Sequence, residues 1–109
     1  MHWSHYVSYF FGGLFFTNAI PHLVSGLMGK AFQSPFAKPP GRGLSSSTVN
    51  VVWGWFNAVV GYLLVFHVGQ FDIHSFSDVA AVGVGGLLIS LQMARHFGQF
   101  HGGNSPRKD

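Results

Sequence analysis

Three apolar runs organise the chain, and each gathers its polar and small residues on one side. They extend from Tyr6 to Leu27, from Val49 to Val68 and from Asp78 to Phe97. Each is roughly 20 residues long, enough for a helix to cross a hydrocarbon core of about 30 Å. In the first run Asn18, His22, Ser25 and Gly29 recur at i, i+4, i+7 and i+11, a period that places them on one helical face. Asn50, Gly54, Asn57 and Gly61 repeat that spacing in the second run. In the third, Ala81, Gly85, Gln92, His96 and Gln99 mark the more polar side. The pattern predicts an all-α integral membrane protein. It has three transmembrane helices over residues 6–27, 49–68 and 78–97, in a single domain spanning 1–109. Each helix is expected to turn a small or polar face to its neighbours and a Phe, Leu and Val face to lipid.

The segments between the runs differ in character. Residues 29–48 carry Lys30, Lys38 and Arg42 among three prolines and three glycines. They read as an ordered Pro/Gly-rich loop. Lys30, Lys38 and Arg42 are expected to contact anionic headgroups, with Phe32 and Phe36 dipping into the interface. Ser45 to Thr48 offers N-cap candidates for the second helix. Trp3, Tyr6, Tyr9, Trp53 and Trp55 fit interfacial aromatic belts. The tail from Gly98 onward, rich in glycine and charge, is expected to fray.

Composition sharpens the class. Charged residues make up 8% of the chain, against about 25% in ordinary soluble domains. So few charges do not cover a soluble domain of this size, and lipid is the expected solvent of the outer surface. The net charge of +3 is small and dispersed, and no basic stripe points to nucleic acid. With no cysteine, disulfides, thiolate metal sites and cysteine nucleophiles are excluded. The N-terminal run lacks a Lys/Arg-rich start and is long for a signal peptide, so a retained membrane helix is expected. Lys30, Lys38 and Arg42 lie in the first loop, and Arg95, Arg107 and Lys108 at or beyond the end of the third helix. By the positive-inside rule, three crossings then place the N-terminus outside, and the first loop and C-terminus in the cytoplasm.

Asn18-Ala19-Ile20-Pro21-His22, Gln33-Ser34-Pro35-Phe36-Ala37, Pro39-Pro40-Gly41 and the stretch from Asn50 to Asn57 carry a resemblance. From about Gly12 to Gly61 the chain resembles a group of uncharacterised small bacterial integral membrane proteins. The resemblance implies a bacterial inner membrane and no particular activity.

Three constellations carry candidate chemistry. Asn18, His22 and Ser25 on the first helix are expected to meet Asn50 and Asn57 on the second, either as interhelical glue or as a polar path for a proton, ion or small solute. His22 and His96 face the same end of the bundle and are candidate ligands for a haem or a divalent metal ion, provided the first and third helices touch. At the other end His5, His67, Asp72, His74 and Asp78 share one surface, either as a zinc or copper site or as a wet loop. No enzyme motif is present, and no carboxylate lies inside a helix. The expected function is an oligomeric transport or channel-like component. The alternatives are a structural or assembly subunit of a membrane complex and a haem- or metal-binding membrane protein. Lipid and either a second copy or a membrane partner are the expected neighbours.

Overall fold

The structure, a computed structural model, describes residues 3–105. Arg107 and Lys108, which entered the orientation argument, lie outside the described residues. The described chain runs α1 (Trp3–Leu27), β1 (Phe32–Gln33), β2 (Leu44–Ser45), α2 (Ser47–Phe66) and α3 (Phe76–His101). All three helices are long and apolar enough to cross a membrane. The longest dimension, 50 Å, exceeds the roughly 40–45 Å thickness of a bilayer with its headgroups.

The helix ends follow from local chemistry. Gly29, at φ 73°, closes α1: Gly29 donates to the Gly26 carbonyl and Lys30 to the Ser25 carbonyl, the paired bonds of a Schellman cap. Ser46 caps α2 by accepting from the Val49 amide, so α2 starts two residues before the predicted Val49. Ser75 caps α3 in the same way through Asp78. The far end of α3 corrects the expected fraying over residues 98–105; the rest of that tail lies outside the described residues. The helix continues through Gly98 to His101 and stops at Gly102, whose φ of 73° supplies the left-handed turn. Gly103 then donates to the Gly98 carbonyl, and the Asn104 amide to the Ala94 carbonyl.

α1 is the middle helix. It packs against both α2 and α3, which barely touch each other. Toward α2, the Ser8 hydroxyl donates to the Leu64 carbonyl at 2.6 Å, and Leu23 lies over Gly54. Toward α3, the backbones interlock. A Cβ on Gly13 would strike the Val82 carbonyl, and one on Gly85 would strike the Phe10 carbonyl. This corrects the expectation that α1 turns the face opposite its polar stripe to lipid. Much of that face is the seam with α3, and an apolar face built for lipid reads the same in sequence as one built for a neighbouring helix. Val7, Phe11, Ile20 and Val24 remain exposed.

The segment between α1 and α2 folds back as a small antiparallel hairpin, with Phe32 opposite Ser45 and Gln33 opposite Leu44. Ser34 ties it together. Its hydroxyl meets that of Ser45 at 2.5 Å, and its carbonyl accepts from Gly41 at 2.8 Å. Phe32 does not dip into the interface as expected but packs inward on Phe97. Phe36 is exposed and rests edge-on against Trp53.

Candidate functional site

The polar side chains converge beneath this hairpin, around Asn50. Asn50 sits in the first turn of α2 and is fully buried. Its Nδ2 lies 3.0–3.2 Å from the carbonyls of Phe32, Ser45 and Ser46. Three acceptors around one nitrogen fix the amide's orientation and leave Oδ1 facing His22 Nδ1 at 2.7 Å. Because Oδ1 only accepts, His22 donates from Nδ1. Asn50 therefore joins α1, the hairpin and α2 through one amide.

Pro21 precedes His22 inside α1, and the helix runs through it without a break. The proline has no amide hydrogen for the Thr17 carbonyl. The His22 ring is 2% exposed and meets three aromatic rings edge-on: Phe32 at 5.6 Å, Phe97 at 6.3 Å and Trp53 at 6.4 Å. One turn earlier on α1 and two turns later on α2 the pattern repeats. Asn18 donates to Asn57 Oδ1 at 3.0 Å, and the Asn57 amide donates to the Trp53 carbonyl at 2.8 Å. Trp53 was expected to anchor at the interface. It is instead half-buried, and its indole nitrogen is buried with no hydrogen-bond partner among the described residues.

α3 reaches the same hairpin from the other side. His96 donates from Nε2 to the Gly41 carbonyl at 2.6 Å. His101 meets Gln33 Oε1 at 3.2 Å and stacks on Phe32, with the two rings within 5° of parallel. Arg42 lies over the Phe100 ring at 5.2 Å, a cation–π geometry. His101 was absent from the sequence reading because Gly98 was taken as the helix stop, and Gln33 entered it only within the resemblance. The signal for His101 was the continuation Phe97, Phe100, His101 at helical spacing.

The remaining candidates separate. Ser25 is half-buried, and its carbonyl serves the α1 cap. Lys30, Lys38 and Arg42 are exposed on the hairpin side. His22 and His96 each hold a different partner: His22 holds Asn50, His96 holds Gly41, and the Phe97 ring lies against both. At the opposite end His67 meets the Tyr62 hydroxyl at 2.9 Å, Asp72 accepts from the His74 amide, and Asp78 accepts from the Asp72 amide. No three His, Asp or Glu side chains among the described residues converge to hold a metal ion. Tyr9, read as part of the belt, is 2% exposed and packs edge-on against Phe71.

No protein-family model, curated protein or solved structure matches the chain. The functional reading therefore rests on this geometry. The central cluster consists of amides, an imidazole and backbone carbonyls, a set suited to holding elements in register.

Proposed function

We propose that the protein is a multi-pass subunit of a bacterial inner-membrane assembly, one that carries no reaction of its own and presents its hairpin-capped end to the cytoplasm. The observation that carries this reading is the mutual hydrogen bonding of the buried amides and His22 around Asn50. Asn50 and Asn57 are fully buried and bonded through both ends of their amides, and His22 is bonded to Asn50. Of the side chains expected to line a solute path, Asn18, His22, Asn50 and Asn57 are here bonded to each other, to the hairpin or to the α2 backbone. The resemblance over residues 12–61 fits a small bacterial membrane protein. Charge supports the orientation, since the described Lys and Arg residues cluster at the hairpin end and Asp72 and Asp78 at the other.

A second reading, a transport component, is favoured by one feature. A groove of about 670 Å³ runs between α1 and α3 past Thr17, Pro21, Phe32, Ser90, Phe97 and His101. A second copy packed over it would turn the groove into a lumen beside the cluster.

Gentle extraction separates the two readings. Affinity purification in mild detergent is expected to recover a different membrane protein in fixed stoichiometry. A homo-oligomer that conducts ions in liposomes, and loses that flux in His22→Ala, would install the transport reading instead.

Orientation has a clean assay because the chain has no native cysteine. In intact cells, a membrane-impermeant maleimide is expected to label Ile73→Cys, at a site 72% exposed in the second loop. It should label Lys38→Cys only after permeabilisation. The reverse order would invert the topology.

A further inference from the structure

The end of the molecule opposite the hairpin holds a second built site. A cleft of about 560 Å³ opens there, lined by His5, Tyr6, Tyr9, Gly69, Gln70 and Asp78. Gly69 makes room for it: a Cβ at that position would stand 2.7 Å from both the Tyr9 hydroxyl and His5 Nδ1. Tyr6 and Tyr9 meet edge to face at 6.2 Å. Tyr9 is 2% exposed, yet its hydroxyl makes no hydrogen bond among the described residues and borders the cleft. By contrast, the Tyr6 hydroxyl is engaged with Ser77 Oγ at 3.1 Å. Asp78 has one carboxylate oxygen, Oδ2, bonded to the Asp72 amide at 3.0 Å, while its other oxygen has no partner among the described residues.

A half-buried carboxylate with an open oxygen, the hydroxyl of a buried tyrosine with an open lone pair at the cleft and walls of aromatic rings form the recognition chemistry of a cationic amine. The wider field agrees, because no described Lys or Arg lies at this end and both described carboxylates do. An anion would be repelled by Asp78, and an apolar ligand would leave the carboxylate and the tyrosine hydroxyl unpaired.

We propose that this cleft binds a primary ammonium group, with Asp78 as its counter-ion and the Tyr9 hydroxyl as a second acceptor. The ammonium belongs either to a free small amine in the adjoining water or to the headgroup of an aminophospholipid in the adjoining leaflet. The proposal is independent of the assembly reading, since it concerns the other end of the bundle.

The test uses the full chain labelled with 3-fluorotyrosine, in nanodiscs, read by fluorine NMR. The chain has three tyrosines, and Tyr62, which does not line the cleft, serves as the internal reference. In discs of phosphatidylglycerol alone, ethanolamine is expected to move the Tyr6 and Tyr9 resonances saturably and leave Tyr62 in place. If the cleft takes the lipid headgroup, replacing part of the lipid with phosphatidylethanolamine moves the same two resonances, and free ethanolamine then adds nothing. Asp78→Asn keeps an acceptor for the Asp72 amide and is expected to weaken binding by about tenfold or more. Tyr9→Phe, read at Tyr6, is expected to weaken it about threefold. Asp72→Asn removes a carboxylate that does not line the cleft and is expected to leave affinity unchanged. Circular dichroism checks that each variant keeps its helix content. The proposal is overturned if neither amine source moves Tyr6 and Tyr9, if ethylene glycol moves them equally, or if Asp72→Asn and Asp78→Asn lose the same affinity.

Discussion

Replacing Asn50 with leucine is expected to lower folding stability by about 3 kcal/mol, the largest single-residue effect in the protein. The substitution removes the acceptor for His22 Nδ1 and the donor for the Phe32 and Ser45 carbonyls. Ser46 is less affected, because its carbonyl also accepts from the Asn50 backbone amide at 3.1 Å. Each buried polar group left without a partner costs about 1–3 kcal/mol, and Asn50 is fully buried. Asn50→Asp is nearly isosteric and is expected to be no rescue. It would turn a second oxygen toward three carbonyl oxygens, where the native chain places a donor. Reversible unfolding in bicelles measures the loss, and protease cutting between residues 29 and 46 reports release of the hairpin. A loss near 0.6 kcal/mol, the average for polar contacts between membrane helices, would reduce the cluster to ordinary glue.

Gly85→Ala is expected to cost about 2 kcal/mol by forcing α1 and α3 apart. The added methyl would occupy the position of the Phe10 carbonyl, and a backbone carbonyl does not rotate away as a flexible side chain does. Gly83→Ala, two residues earlier on the same helix, is the matched control. A Cβ there meets nothing within 4 Å. It is expected to be neutral or to stabilise by up to about 1 kcal/mol, through the better helix propensity of alanine. The same unfolding assay reads both variants, and equal effects at 83 and 85 would refute a close-packed α1–α3 seam.

The residues differ in how far periodicity could place them. The spacing of Asn18 and His22 on one helix, and of Asn50 and Asn57 on the next, was enough to pair these faces, and the structure joins Asn18 to Asn57 and His22 to Asn50. The hairpin was invisible, because strands of two residues have no period to read. Tyr9 and Trp53 were assigned to interfacial belts because an aromatic residue near a helix end looks alike whether it faces headgroups or packs inward. Beyond His96, the share of α3 in the site was lost at Gly98, since a glycine after a long apolar run matches a helix stop. Only the left-handed turn at Gly102 distinguishes the true end. The Asp78 cleft, too, had no linear signature. It is assembled from the start of α1, the second loop and the start of α3, which only tertiary packing brings together.

The central position of α1 also bears on biogenesis. Synthesis delivers α1 before either of its partners, and domains form in that order as the chain emerges. Both docking seams, Ser8 and Leu23 for α2 and Gly13 for α3, belong to this first helix. Each later helix therefore emerges with its surface of attachment already in place, and neither has to wait for the other.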